Sequence, residues 1–425
     1  MAIVYPRATL DTVPSLFNAA ELLDRHGFGV DLFVRSGGDA APPRFTSQEI
    51  RLHSLGAEAV VAPPPGALRQ ALRRSGRLGR AVRTPLVHGY QAVRRVVGRA
   101  AAVRAAARAR RLVATTDRGS TLCYIGVDPD GLFLADDLAA GTAPVAYYSL
   151  ELLPSAELRT EAERRTKTRE RELSRRACFV IVQDEERAAL LAEDNGVARE
   201  RLVLVPNAPL GPARRRRTGY WHERLGLRAD QRVALHAGSL GGWTGIQGIV
   251  DSVPTWPAAW VLVVHTRYDA DVESSAYVRQ LQARAAPGRV FFSLKPVPRQ
   301  EYDDLVDGAD AALAFYLSTD ESALTGQNVR AIGLSSGKVA YALRAGVPVI
   351  VNTASSLGDL VGRERCGVAV AGASGIAAAL AAIELGREGY SREACRFFDE
   401  RLDFAQSFAR VLDRIDALRH QEAGP

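Results

Sequence analysis

Short apolar runs alternate with stretches of helical period along most of the chain. Residues 2–5 read as a strand, and residues 13–26 as a helix with Val13, Leu16, Phe17, Ala20 and Leu23 on one face. Residues 30–34 form a second strand after Gly27 and Gly29. Strand, helix and strand at this spacing make a βαβ unit that opens a parallel sheet. Val60-Val61 closes a further strand before Pro63-Pro64-Pro65, and residues 121–127 and 145–148 follow as strands of buried type, with a helix through Ala139 between them. A charged helix over 157–176 carries Glu and Arg three and four residues apart, the spacing of an exposed, internally paired face. The strand 179–182, the helix 184–194 and the strand 202–205 complete the first half.

There the pattern stops. Pro209, Gly211, Pro212 and the arginine run 214–217 form a hydrophilic link, read as a domain boundary. Beyond it the same alternation restarts, with strands 233–236, 260–264, 290–292, 311–315 and 347–351 and helices 246–253, 272–285, 299–306 and 339–345 between them. A chain of 425 residues exceeds one ordinary core, so two α/β domains are expected.

Composition adds two points. Nearly half the residues are hydrophobic and a quarter charged, which is globular. No apolar run approaches the roughly 18 residues that span a bilayer, and the first residues lack a charged segment followed by a long apolar one, so a cytosolic protein is expected. Cys123, Cys178, Cys366 and Cys395 lie without metal-ligand or disulfide spacing and read as small apolar residues. The second point is charge. Residues 67–111 hold 13 arginines and no Asp or Glu, against a net charge of +7 for the whole chain. Arginines interleaved with Leu, Val and Ala at helical spacing attract anionic surfaces. Tyr90 is the one aromatic among them and no nucleic-acid motif appears, so an anionic membrane surface is the expected partner rather than nucleic acid. The competing reading is an ordinary solvated face in an arginine-biased chain.

Candidate chemistry gathers around 328–352. The small-residue turn Gly333-Leu334-Ser335-Ser336-Gly337-Lys338 feeds a helix that breaks at Gly346. Such a turn aims unpaired N–H groups and the positive end of the helix dipole at one spot, an anion site. Lys338 adds a full charge there, and the chain holds three lysines among 55 basic residues, so a lysine at this turn reads as a chosen point charge. A second glycine-rich turn, residues 237–245, follows the strand 233–236 and also lets backbone approach a phosphate. In the first half, Asp128 and Glu151 stand at strand carboxyl ends, where ligands of open parallel sheets lie. Asp128-Pro129-Asp130 is too short a pattern to indicate a metal. The first turn, Pro6-Arg7-Ala8-Thr9, has no GxGxxG, so no dinucleotide cofactor is expected.

Val205-Pro206-Asn207, the turn 236–245, Lys295-Pro296-Val297-Pro298 before a short helix and Asp307-Gly308-Ala309-Asp310, and Ser335-Ser336-Gly337-Lys338 followed by Ala345-Gly346-Val347-Pro348-Val349-Ile350 occur in this order. Together they resemble the succession of landmarks in GT-B glycosyltransferases of the family 4 type, best over 177–370. The resemblance implies two Rossmann-like, doubly wound domains facing a cleft, with 1–207 on the acceptor side, 208–395 holding a nucleotide-diphosphate sugar, and a last helix, over 396–420, crossing back to the first domain. It implies a sugar nucleotide as co-substrate and no required cofactor or metal. Carried over by motif, Gly241 and Gly242 lie against the donor diphosphate, Lys338 lies near it and Val297 lies beside the base; Ser239, Ser335, Ser336 and Gly337 are expected to line the same donor site. Many members hold sugar and ribose with paired glutamates; the matching positions here are Gly333 and Tyr341. An Arg and Lys that often clamp the pyrophosphate are replaced by Leu240 and Thr244, and Arg267 or Lys295 is expected to supply the missing charge.

The resemblance therefore implies transfer of a sugar from a nucleotide-diphosphate donor to a hydroxyl acceptor, either a cell-surface glycan or lipid-linked intermediate or a small natural product. Asp128, then Glu151, is the expected base if configuration inverts; with retention neither needs to act so. A sugar-nucleotide epimerase of the same fold and a catalytically degenerate scaffold at the membrane remain as alternatives.

Overall fold

The structure is a computed structural model that describes residues 1–8, 10, 13–36, 45–57, 107–108, 111, 121–266, 275–319 and 322–422. Almost all of the arginine-rich segment 67–111, the strand expected at 60–61, and Arg267 lie outside the described residues.

The first half forms a seven-stranded sheet of order β3-β2-β1-β4-β5-β6-β7, with β1 Ala2–Tyr5, β2 Val30–Ser36, β3 Ile50–Ala57, β4 Tyr124–Val127, β5 Val145–Tyr148, β6 Val180–Val182 and β7 Leu202–Leu204. Every pairing is parallel. Its helices are α1 Pro14–Arg25, α2 Asp128–Ala139, α3 Glu161–Arg176 and α4 Glu185–Asn195. The short strands are apolar on both faces because helices cover both. α2 lies unusually close to the sheet: a Cβ on Gly131 would stand 2.3 Å from the Val4 carbonyl, and one on Gly126 2.4 Å from Leu132 Cα. Glycine at these two places brings the start of α2 against the tips of β1 and β4.

α3 begins one turn later than the sequence pattern suggests. Thr160 and Glu163 form a reciprocal capping box there, and residues Ser155–Glu157 are a separate 3₁₀ turn. Its outer face carries the expected pairs, such as Glu161 with Arg164 and Arg165. Its inner face buries Lys167 and Glu170 as an ion pair at 3.1 Å.

The second half forms a six-stranded parallel sheet of order β10-β9-β8-β11-β12-β13. The strands are β8 Arg232–Ala237, β9 Trp260–His265, β10 Val290–Ser293, β11 Ala311–Ala314, β12 Val349–Asn352 and β13 Gly367–Val370. Around them lie α5 Tyr220–Leu225, α6 Ile246–Ser252, α7 Ala276–Arg284, α8 Arg299–Asp307, α9 Gln327–Arg330, α10 Gly337–Arg344, α11 Leu357–Glu364 and α12 Ile376–Arg401. The arginine run between the halves is not a free linker. Arg214 pairs with Asp303 and Asp307, Arg216 with Asp304 and Asp307, and Arg217 with Asp310, so the strand of positive charge lies along the acidic face of α8.

The last helix, α13, runs from Phe404 to Glu422, eight residues later than the expected start at 396. Residues up to Arg401 still belong to α12, and Asp403 supplies the new cap, its carboxylate accepting from Gln406 N–H. The helix crosses back as the resemblance implies: His26 Nε2 meets Asp416 Oδ2 at 2.8 Å, and Arg414 donates to the Glu200 carbonyl at 2.7 Å. Phe404, Phe408, Val411 and Ile415 join a core that runs without a break through both halves.

Candidate active site

In a doubly wound sheet ligands bind at the strand carboxyl ends where the order reverses. The first sheet reverses between β1 and β4 and the second between β8 and β11. The residues just past those four strands are therefore where chemistry is to be sought.

At the first reversal stand Arg7, after β1, and Asp128, after β4, with Arg7 Nη1 3.2 Å from Asp128 Oδ2. Asp128 is buried and has a left-handed φ of 55°, a conformation costing about 1–3 kcal/mol in a non-glycine residue and concentrated at functional sites. Its Oδ1 accepts from Leu150 N–H at 2.9 Å and Glu151 N–H at 3.0 Å, so it also shapes the turn after β5. Burial pushes its carboxyl up to about 6, with Arg7 pulling the other way and Glu151 adding to the rise. Glu151 is half-buried, and its Oε2 accepts from Asn328 Nδ2 at 2.5 Å. The two expected carboxylates thus share one corner.

At the second reversal the turn after β8 meets the turn before α10. A Cβ on Gly238 would lie 3.8 Å from Lys338 Nζ. That ammonium lies 4.6 Å from the Tyr316 ring centre and 5.8 Å from that of Trp243, within cation–π reach. Tyr316 stands just past β11; its hydroxyl is 2.6 Å from Ser336 Oγ, and its backbone is held on both sides by the Asn352 amide. His236 is buried beneath, with Nε2 donating to the Ser239 carbonyl at 3.2 Å. Burial, with the Lys338 charge as the second cause, drives its imidazole down to about 3, so it is neutral at physiological pH.

Ser336 caps α10, its Oγ accepting from Val339 N–H. Its hydroxyl serves the helix, and the first-turn N–H groups of Gly337 and Lys338 are the ones the helix itself cannot satisfy. Gly241 and Gly242 lie in the first turn, with Gly241 against the Trp243 ring. Ser335 Oγ donates to the Ile332 carbonyl. Lys295 is exposed and Val297 packs on the core rim. Tyr341 faces sideways, edge-on to Tyr302 at 4.9 Å and under Arg344, and burial pushes its hydroxyl up to about 12. The structure therefore brings Lys338, Ser336 and Gly337 to the Ser239 turn, and sets Tyr341 against α8.

The absent glutamate at 333 has a steric cause. Gly333 has a φ of +35°, and a Cβ there would stand 2.1 Å from Asp184 Oδ2, which accepts from Leu334 N–H at 2.8 Å. A carboxylate from the first half fills the space. Asn207 also joins the halves: its Nδ2 donates to the Ser335 carbonyl at 3.1 Å while its Oδ1 accepts from Ser15 Oγ at 2.5 Å.

Two surface cavities lie elsewhere, one of about 430 Å³ between β7 and α13 and one of about 370 Å³ beside Lys167. Among the described residues no three His, Cys, Asp or Glu side chains are grouped to hold a metal ion, and no helix is long and apolar enough to cross a membrane.

Sequence reasoning passed over Arg7, Tyr316, Trp243, His236 and Asn328. The reversal rule would have indicated Arg7 and Tyr316 once the strand order was known; Asn328 acts across about 180 residues of chain and leaves no local signal.

Residues 14–208 match the glycosyl transferase 4-like domain family. No curated protein sequence matches the chain. Solved structures are similar over nearly the full length. Sucrose-phosphate synthase from Thermosynechococcus elongatus shares 16% identity with a TM-score of 0.64, covering 99% of this chain and 98% of that one. Anabaena HepE, solved with UDP and glucose, shares 14% with a TM-score of 0.65, covering 98% and 99%. WaaG, a glycosyltransferase involved in lipopolysaccharide biosynthesis, shares 14% with a TM-score of 0.59, covering 96% and 97%. Residues 14–208 thus match the glycosyl transferase 4-like domain, and the described residues carry the GT-B fold.

Proposed function

We propose that this protein transfers a sugar from a nucleoside-diphosphate donor to a hydroxyl of a cell-surface glycan or lipid-linked acceptor. The observation that carries the reading is the meeting of Gly238 and Lys338 at the reversal of the second sheet, beside the N-terminus of α10. As the bond from the sugar to the β-phosphate breaks, negative charge grows on the leaving diphosphate; an ammonium and fixed N–H groups already in place stabilise it without reorganising. The acceptor oxygen forms the new glycosidic bond from the side of the first sheet, and its proton passes to Asp128, with Glu151 orienting the acceptor. A carboxyl that titrates near 6 is ionised at neutral pH and still basic enough for this. The likeness to WaaG, and the 13 arginines of residues 67–111, support an acceptor at an anionic membrane surface; salt-sensitive sedimentation with anionic vesicles is expected, and sedimentation indifferent to salt and lipid charge removes that part. No metal takes part in the proposed step.

Thermal-shift measurement with UDP, GDP and dTDP, in the presence of EDTA, tests the donor half. At least one should raise the melting temperature by several degrees at a hundredfold excess over Kd, since about 2.7 kcal/mol of stabilisation then follows. No shift with any of them contradicts the reading and leaves a scaffold role standing.

A further inference from the structure

The connection from β11 to α10 belongs to the donor-side half, yet it is gripped by four side chains of the other half. Glu157 accepts from Gln327 N–H at 2.8 and 2.9 Å, and its oxygens occupy the place where a Cβ of Gly326 would stand. Asp184 does the same one turn later at Gly333 and Leu334. Arg187, fully buried, spends all five of its N–H groups: Nε on Gln183 Oε1, Nη1 on the Asn328 and Ala331 carbonyls, Nη2 on the Leu150 carbonyl and Asn328 Oδ1. The fourth contact runs the other way. Asn328 Nδ2 donates to Glu151 Oε2 at 2.5 Å.

The orientation of that amide is fixed by its surroundings. Asn328 Oδ1 accepts from Leu152 N–H and from Arg187, both at 2.9 Å, and Nδ2 donates to the Leu324 carbonyl as well as to Glu151. A flipped amide would set N–H against N–H and oxygen against carboxylate. All four hydrogen-bonding positions are used, and the residue is buried.

We infer that Asn328 is a positioning residue for the transfer reaction: supplied by the donor-side half, it holds the Glu151 carboxylate in place for the acceptor, with Arg187 as the fixed post that holds Asn328. The inference rests on the function proposed above. Its consequence is that the acceptor-side carboxylate is set only while the 326–336 connection is docked, and the same connection runs on into the Ser335–Lys338 turn. Docking therefore registers the donor turn and the acceptor carboxylate together.

Asn328→Asp is the informative variant. It keeps an oxygen for Leu152 N–H and Arg187, and replaces the amide nitrogen that faces Glu151 and the Leu324 carbonyl with a second negative oxygen. Acceptor KM and kcat, UDP affinity by calorimetry and melting temperature are measured for Asn328→Asp, Glu151→Gln and the double variant. The expected result is a tenfold or greater loss of kcat/KM for acceptor in Asn328→Asp, UDP affinity within twofold of the unaltered protein, and no further loss when Asn328→Asp is added to Glu151→Gln. Undiminished turnover by Asn328→Asp, or equal losses with and without Glu151→Gln, overturns the inference alone. If Asn328→Asp fails to fold, Asn328→Ser with the same cycle replaces it. An unaltered protein that binds no nucleoside diphosphate overturns the functional reading and this inference with it.

Discussion

At the reversal of the first sheet a carboxylic acid is buried against an arginine; at the reversal of the second an amine lies to one side of two neighbouring rings, near a neutral histidine. The two corners have the same backbone topology and opposite electrostatics. Asp128 sits where water is scarce, and the cost of its charge moves its ionisation toward neutrality despite Arg7. Such a group can take up and release a proton during turnover. Lys338 lies within cation–π reach of the faces of Tyr316 and Trp243, a contact that favours the charged amine. His236, driven neutral, adds no competing positive charge. On the proposed function, the first corner exchanges a proton and the second supplies positive charge.

Removing either charge tests this division. Asp128→Asn is expected to have the largest effect, a fall in kcat of about 10³-fold, if the residue is the base. In the unaltered protein kcat/KM should rise with pH through about 6 and then level, because the deprotonated form is the competent one. The variant should lose that limb; a rising limb that survives unchanged assigns it to another group. Lys338→Met should cost about 10²-fold in kcat/KM for the donor, the scale of a lost charge stabiliser, and its pH profile should keep the original shape. Smaller still, Tyr316→Leu should cost about tenfold, corresponding to the 1–2 kcal/mol of a partly desolvated cation–π contact. Tyr316→Phe, which keeps the ring and loses only the bond to Ser336 Oγ, should retain most activity. Equal losses in Phe and Leu would shift the weight from the ring to the hydroxyl.

How legible this was in the chain follows from the range over which each feature is decided. Strands such as Ala2–Tyr5 and Val145–Tyr148 are runs of apolar residues, and their burial needs no knowledge of partners. The α10 turn was legible because its small residues, its lysine and its glycine break are contiguous. The start of α13 was misplaced because apolar spacing continues across Leu402, and only the Asp403 cap ends one helix and begins the next. The arginines 214–217 look like a solvated linker until α8, nearly 90 residues away, is laid beside them. Gly333 reads as a lost donor-holding glutamate until Asp184 is found in its place. Ser336 was expected against the donor diphosphate, and its hydroxyl also accepts from Val339 N–H as the cap of α10. For the arginines and Gly333 the missing information was a long-range partner; for the start of α13 and for Ser336 it was a helix cap made with a residue three positions on.

The scarcity of lysine allows the central claim to be tested at one atom. In protein carrying ¹³C at lysine Cε, three signals are expected, from Lys167, Lys295 and Lys338, assigned by single substitutions. The Lys338 signal should be displaced by the currents of the two rings beside it, and titration with UDP, GDP or dTDP should move it further, while the signal of Lys167, sealed in its ion pair with Glu170, stays put. A nucleoside diphosphate that binds and leaves the Lys338 signal unmoved would contradict the account.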